Sequence, residues 1–377
     1  MPFEHYIRSG NKRLRCGYTT GTCAALAAGA AARLLLTGQA PPTARLLTPK
    51  GLWVEAPIVE AVLDGEEARC GVQKDAGDDA DVTDGLLIVA SVRKKDSPGI
   101  AITGGEGVGL VTKPGLDQPV GEKAINRMPR TMIAQAVQAV CGDWTYDRGM
   151  EVEISVPLGR AAAAKTFNPA LGIEGGISIL GTSGIVEPMS QQAILDTIAV
   201  EIRQRRALGE SRLLLTPGNY GVTFLQDHGW EPDGIPLVKC SNFIGEALDI
   251  AAAEGFRAVL LVGHVGKLVK LAGGLFNTHS KWGDCRAELF CAHAAAQGAS
   301  PALCRRLLEA VTTDSCLEML DQENLRKETL ASLLGAIQRQ LDKRTSGAFS
   351  VGAVLFSNRY GYLGETTAVA GMRGKWI

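Results

Sequence analysis

Four times between residues 176 and about 271, a short apolar run leads through a small-residue turn into a helix-forming stretch. The apolar runs are GISIL at 176–180, RLLLT at 212–216, PLVKC at 236–240 and AVLLV at 258–262. The turns that follow them are Gly181-Thr182-Ser183-Gly184, PGNYG at 217–221, Ser241-Asn242 and Gly263-His264-Val265-Gly266-Lys267. Successive runs lie roughly 25–35 residues apart, the spacing of strand–helix units. Parallel neighbours in a sheet need a long crossover, and a helix is the usual one. The pattern therefore predicts an α/β domain over 176–377 with a mainly parallel, Rossmann-like three-layer sheet. A helical region at 286–345 and a last strand, SVGAVLFS at 350–357, complete it. The expected boundary lies where LGIEGG, 171–176, interrupts the pattern.

The first half, 1–175, mixes strands and helices without strict alternation and reads as α+β. TTGTCAALAAGAAARLLL at 19–36 predicts a helix capped by Thr20 or Thr22 and stopped by Gly38. Alanine on most of its faces implies close packing on several sides. A hairpin turning near Pro49-Lys50-Gly51, a buried strand at 86–92 and a glycine-rich loop at 103–121 follow. A helix then opens near 125–130, and MEVEISVP at 150–157 alternates like a half-buried strand. Asp75, Asp78, Asp79, Asp81 and Asp84 crowd one loop that does not match an EF-hand. They read as a solvated turn with capping aspartates.

Composition narrows the function. Lys+Arg is 39 against Asp+Glu 40, and aromatic residues are only 5%. Neither a charge-based grip on nucleic acid nor a base-stacking platform is expected. The N-terminus MPFEHYIRSGNKRLR lacks the apolar core of a signal peptide, and Arg33 breaks the early apolar stretch 24–36. A cytoplasmic protein with no membrane partner is the expectation. Nine cysteines without a C-x-x-C pair suit free thiols in a reducing compartment. Cys285, Cys291 and His293 lack zinc-finger spacing, so no metal site is expected.

Ligands of parallel sheets bind at the loops leaving the carboxyl ends of the strands. That rule selects Gly181, Thr182, Ser183, Gly184, Gly218, Asn219, Gly221, Gly263, His264 and Gly266 as cofactor-binding candidates. No G-x-G-x-x-G follows the first strand, which disfavours NAD. TGGEGVG at 103–109 runs into Lys113-Pro114 where a helix should open, and it lacks the G-K-[ST] end of an ATP loop. S-adenosylmethionine has no phosphates. It needs only a glycine turn, polar contacts to a ribose and an apolar adenine slot. The densest polar stretch is NTHSKWGDCRAE at 277–288. Adjacent His279 and Ser280 point apart and no G-x-S-x-G elbow exists, so a hydrolase triad is disfavoured. The simpler reading has Ser280 or Asp284 capping the next helix.

LRCGYTTGTCAA, KDAGDDADVTDG, TGGEGVG, AINRMPR, LGIEGGISILGTSGIVEPMS, GNYG, GHVGKLVKLAGGLFNTHS and GDCRAE, in that order, resemble the cobalt-precorrin-5B C1-methyltransferase family of cobalamin biosynthesis. The resemblance runs from about Leu14 to the last strand, with Cys16 as a departure from its pattern. It implies S-adenosylmethionine as methyl donor and a cobalt-containing, ring-contracted tetrapyrrole as acceptor. The implied product is cobalt-precorrin-6A. A polycarboxylated acceptor calls for basic groups and helix N-termini. Thr19, Thr20, Gly21, Thr22, Arg127, Arg130 and Lys267 are the substrate-binding candidates. His279 and Asp284 are the candidates for accepting a proton from the macrocycle or orienting it. The macrocycle is expected in a cleft between the domains. From the residues alone two rivals stay open: a nucleotide-dependent oxidoreductase and a non-catalytic tetrapyrrole carrier. The oligomeric state, a homo-oligomer included, is open too.

Overall fold

A computed structural model describes residues 3–228 and 236–376. The chain packs as two compact units, Met1–Gln191 and Gln192–Ile377. The first is built around α1 (Thr20–Thr37). Thr19 caps this helix, its hydroxyl accepting from the Thr22 N–H, and Gly38 ends it at φ 71°. The cap thus falls one residue before the expected pair. Ala24, Ala25, Ala27, Ala28, Ala30, Ala31 and Ala32 are all buried. Among the described residues α1 is the helix long and apolar enough to cross a membrane, yet most of it is buried inside the protein.

The sheet of this unit comprises β1 (Glu60–Asp64), β2 (Glu67–Gln73), β3 (Leu87–Lys95), β4 (Ile100–Gly104) and β5 (Gly149–Ser155) in the order β1-β2-β3-β5-β4. β5 runs antiparallel to β3 and parallel to β4. Its Met150, Val152 and Ile154 are buried, whereas Glu151 and Glu153 face solvent, as the alternation predicts. α2 (Arg127–Asp143) packs on α1, and a Cβ on Gly29 would stand 3.5 Å from the Ala136 side chain. The hairpin Thr43–Leu47/Trp53–Pro57 turns through Gly51 at φ 80°.

Residues 176–191 also belong to this unit. Ile177 bridges Val108 and Ile179 bridges Ile125, both singly, and Ile185–Val186 pairs with Gly17–Tyr18. The run at 176–180 is therefore no strand of a parallel sheet, and the boundary falls at 191/192 rather than 175/176. The reason is physical: Ile177 and Ile179 are almost fully buried, and a short apolar run reads alike in a sheet or in an isolated bridge.

In the second unit α3 (Gln191–Ala207) leads into β6 (Arg212–Thr216), α4 (Asn219–Asp227), β7 (Leu237–Lys239), α5 (Ile244–Ala253), β8 (Ala258–His264) and α6 (Val265–Leu268). Then come α7 (Arg286–Ala295), α8 (Pro301–Leu308), α9 (Thr313–Gln322), α10 (Arg326–Thr345), β9 (Ser350–Ser357) and β10 (Gly361–Glu365). The sheet order is β7-β6-β8-β9-β10, parallel except for β10, an antiparallel edge that the sequence analysis missed. Leu213, Leu215, Val259, Leu261, Val351 and Ala353 enter one apolar cluster. Their strand neighbours Leu214, Leu260, Val262 and Val354 enter another, so both faces of the sheet are covered. The chain leaves β6 towards β7 on one side and returns to β8 on the other. The carboxyl ends of β6 and β8 thus flank a topological switch point, where open sheets of this kind bind ligands.

Candidate functional site

Thr216, Cys240 and His264 stand at or just past the carboxyl ends of β6, β7 and β8. A Cβ on Gly221 would lie 1.9 Å from the Thr216 hydroxyl and 3.0 Å from the Val262 carbonyl. Only glycine lets α4 sit this close to the strands. A Cβ on Gly218 would meet nothing within 4 Å, so space stays open beside the start of α4. A Cβ on Gly263 would lie 2.9 Å from the Leu268 side chain. The Gly266 N–H donates to His264 Nδ1 at 3.0 Å, which places the neutral imidazole's proton on Nε2. Burial lowers the pKa of His264 against the pull of Asp314, favouring that neutral form. Its ring stands edge-on to Phe356. Burial pushes the Cys240 thiol up to about 12, so it carries no charge.

Segment 277–284 is tied to the same edge of the sheet. Thr278 donates its N–H to the Asn242 carbonyl at 3.0 Å and its hydroxyl to Asn242 Oδ1 at 3.2 Å. Buried Lys270 donates to the carbonyls of Thr278 (3.3 Å) and Gly283 (3.0 Å) and lies 3.8 Å from Asp284. Gly218, Asn219, Gly221, Gly263, His264, Gly266 and Lys267 therefore gather at one sheet edge, with the His279–Asp284 segment attached there. Asp284 is held by Arg286 through two hydrogen bonds of 2.6 and 2.5 Å. Those bonds, with the Lys270 charge, keep its carboxyl below the usual carboxylate range and make it a poor proton acceptor. His279 Nδ1 accepts from the Lys281 N–H at 3.1 Å, leaving Nε2 to carry the proton. The N-cap of α7 is Cys285, which makes no side-chain cap bond, so neither Ser280 nor Asp284 holds the expected N-cap position.

In the first unit two of the expected ligand sites bond to each other. The Thr19 N–H donates to the Gly184 carbonyl and the Gly21 N–H to the Leu180 carbonyl, both at 3.0 Å. The Thr20 hydroxyl accepts from the Leu180 N–H at 2.9 Å, and the Thr22 hydroxyl donates to the Gly184 carbonyl at 2.7 Å. The loop 181–184 and the Thr19–Thr22 helix start, read from sequence as separate ligand sites, satisfy each other. A Cβ on Gly181 (φ 131°) would lie 2.3 Å from the Thr19 hydroxyl, and one on Gly184 (φ 80°) 2.8 Å from Thr48 Cβ. Both glycines have a steric reason that needs no ligand. Thr182 is exposed, while Ser183 closes a local turn with Ile185. The aspartates of the acidic loop cap backbone N–H groups as expected, Asp75 that of Gly77, Asp81 that of Thr83 and Asp84 that of Ala76, and two of them also form ion pairs. Asp75 grips Arg15 through two bonds (2.6 and 2.7 Å), and Asp81 meets buried Lys74 at 2.6 Å.

Arg127 and Arg130 line one cavity of about 650 Å³ with Asp117, Gln118 and Thr131. Arg130 is fixed by donating to the carbonyls of Ile125 (2.9 Å) and Ile102 (2.8 Å). Exposed Arg127 lies 3.8 Å from Asp117. A second cavity of about 790 Å³, bordered by Glu106, Lys123, Arg160 and Glu174, went unforeseen, although TGGEGVG forms one of its walls.

The family model for CbiD matches residues 7–188, and the model for the CbiD C-terminal domain matches residues 277–367. The chain belongs to the CbiD family. Its curated CbiD-like relatives include a protein of Ruminiclostridium cellulolyticum, 45% identical over 94% of this chain and 92% of its own length. Another, from Moorella thermoacetica, is 42% identical over 97% of this chain and 98% of its own. Both are named cobalt-precorrin-5B C(1)-methyltransferase. A crystal structure of the cobalamin biosynthesis protein CbiD from Archaeoglobus fulgidus is 29% identical, covering 78% of this chain and 88% of that one, with a TM-score of 0.39.

Proposed function

We propose that this CbiD family member methylates C-1 of cobalt-precorrin-5B to give cobalt-precorrin-6A in cobalamin biosynthesis, using S-adenosylmethionine. The observation that carries the reading is near-full-length identity of 42–45% with relatives named for that activity. All nine cysteines are free thiols, which suits work in the cytoplasm.

The second unit, read as Rossmann-like, is the methyl-donor half. Open space at Gly218, the adjoining start of α4 and the Nε2–H of His264 fit a neutral nucleoside with a ribose to hydrogen-bond. When bound, the donor supplies an already activated sulfonium methyl group. The protein's task is then alignment, which can recover about 7–11 kcal/mol of barrier. Asn219, Gly221, Gly263 and Gly266 shape the floor of the donor site. The first unit is the tetrapyrrole-contacting half, with Arg127 and Arg130 meeting acidic side chains of the macrocycle. Cobalt enters as part of the substrate. The methyl group adds as a cation equivalent and one proton leaves the macrocycle. His279 Nε2 bears a proton and Asp284 is pinned, so neither is set up as the acceptor of that proton; both serve to orient.

The test is anoxic incubation of the purified protein with cobalt-precorrin-5B and S-adenosylmethionine. The expected product is heavier by one CH₂ group, with S-adenosylhomocysteine released in equal amount. A macrocycle of unchanged mass with both reactants intact overturns the reading.

A further inference from the structure

Among the described residues two lysines are buried, and both have acceptors: Lys74 has Asp81, and Lys270 has two carbonyls and Asp284. Half-buried Lys267 differs. Among the described residues none hydrogen-bonds or ion-pairs with its ammonium. Burial lowers its pKa, with Cys240 and Lys270 acting on it through charge. The Cys240 thiol is neutral, as argued above, and Lys270 is a second cation. Asp284, the acid nearest at hand for Lys270, is already gripped by Arg286. A partly desolvated cation without an anion is costly unless something supplies one.

Its position says what that is. Lys267 follows β8 and Cys240 follows β7, while β6 lies between those strands. Lys267 therefore stands just past the carboxyl end of β8, on one flank of the switch point, and Gly218 follows β6 on the other. Resting on the donor-site reading above, we propose that Lys267 binds the α-carboxylate of the methionine part of the methyl donor. The acceptor macrocycle also carries carboxylates, so the experiment must separate the two sources.

The probes are S-adenosylhomocysteine, which has the carboxylate, and 5′-methylthioadenosine, which lacks the whole amino-acid end. Binding of each is measured calorimetrically to wild type, Lys267→Met, Lys267→Arg and Gly218→Val, with circular dichroism as the check on folding. Lys267→Met is expected to weaken S-adenosylhomocysteine by about tenfold or more, the scale of a hydrogen bond to a charged group. It should leave 5′-methylthioadenosine unchanged, and Lys267→Arg should restore most of the loss. Gly218→Val should weaken both probes alike. If Gly218→Val weakens both but Lys267→Met leaves their affinity ratio unchanged, the carboxylate assignment is overturned while the donor site stands. An unchanged ratio together with a raised KM for the macrocycle also overturns it, in favour of a macrocycle carboxylate. If Gly218→Val changes neither probe, the donor-site reading itself has failed.

Discussion

The two units differ in how completely their inner polar groups are closed. In the first, the helix start at Thr19–Thr22 is closed by carbonyls and N–H groups of 180–184, and Arg15 and Lys74 are closed by Asp75 and Asp81. In the second, Lys267 has no acceptor among the described residues, and the buried polar atoms without a partner among them, Glu246 Oε2 and Thr329 Oγ1, both lie there. Closed polar networks specify a fold. An open polar group at the end of a parallel sheet has capacity left for a ligand. The comparison therefore divides the polar residues into those whose loss should cost stability and those whose loss should cost binding.

The largest expected effect lies on the closed side. Lys74→Met leaves the Asp81 carboxylate, only a quarter exposed, without its partner. Breaking a buried pair costs about 3–5 kcal/mol, and the partial exposure of Asp81 puts this one near the lower end. Urea unfolding should show that loss, with S-adenosylhomocysteine affinity of the folded fraction unchanged. Next comes Thr22→Val, which removes the bond to the Gly184 carbonyl inside the core and should cost about 1–2 kcal/mol of stability. Loss of ligand affinity with full stability in either variant would break the comparison. On the open side, His264→Gln should reverse the pattern. Stability should stay within about 0.5 kcal/mol. Donor affinity should fall several-fold, on the order of one neutral hydrogen bond. Equal losses of both would make His264 a structural residue.

Much of this was legible in the sequence. Strand β6 lies at 212–216 as its residues predict, and Gly38 ends α1 in the left-handed conformation expected of it. The glycine turns after β6 and β8 flank the switch point. Other features were not legible, for identifiable reasons. β10 reads GYLGE, with too few apolar residues to signal a strand. The Thr19–Thr22 cap and the Gly181–Gly184 loop each resemble a ligand cradle in isolation, and only their contact reveals that each closes the other. The isolation of Lys267 depends on spatial neighbours drawn from separate turns. Residue type alone suggested a role for it; the absence of an acceptor, which decides that role, is a property of the packed sheet edge.

The smallest expected effect is a difference in acid response. Burial lowers the pKa of His264 and of His293, both in the second unit. An unfolded chain binds protons at its imidazoles near the ordinary pKa of ~6.5, before these folded ones do. Between that value and the lowered folded values the unfolded state holds more protons, so stability falls as pH falls through this window. Asp75 and Asp81 of the first unit have lowered folded pKa values, held down by the Arg15 and Lys74 partners against burial. Their contribution is complete above the unfolded carboxylate value of ~3.9 and is lost only below it, as pH falls through the folded values. Asp284 behaves likewise under the hold of Arg286. Urea midpoints at about pH 7.5 and about pH 5.5 bracket the imidazoles and leave Asp75, Asp81 and Asp284 ionised. Wild type should be less stable at the lower pH, and a His264→Gln/His293→Gln double variant should lose most of that difference. A difference that survives both substitutions would place the mild-acid weakness outside the two histidines, and with it the contrast in acid response between the units.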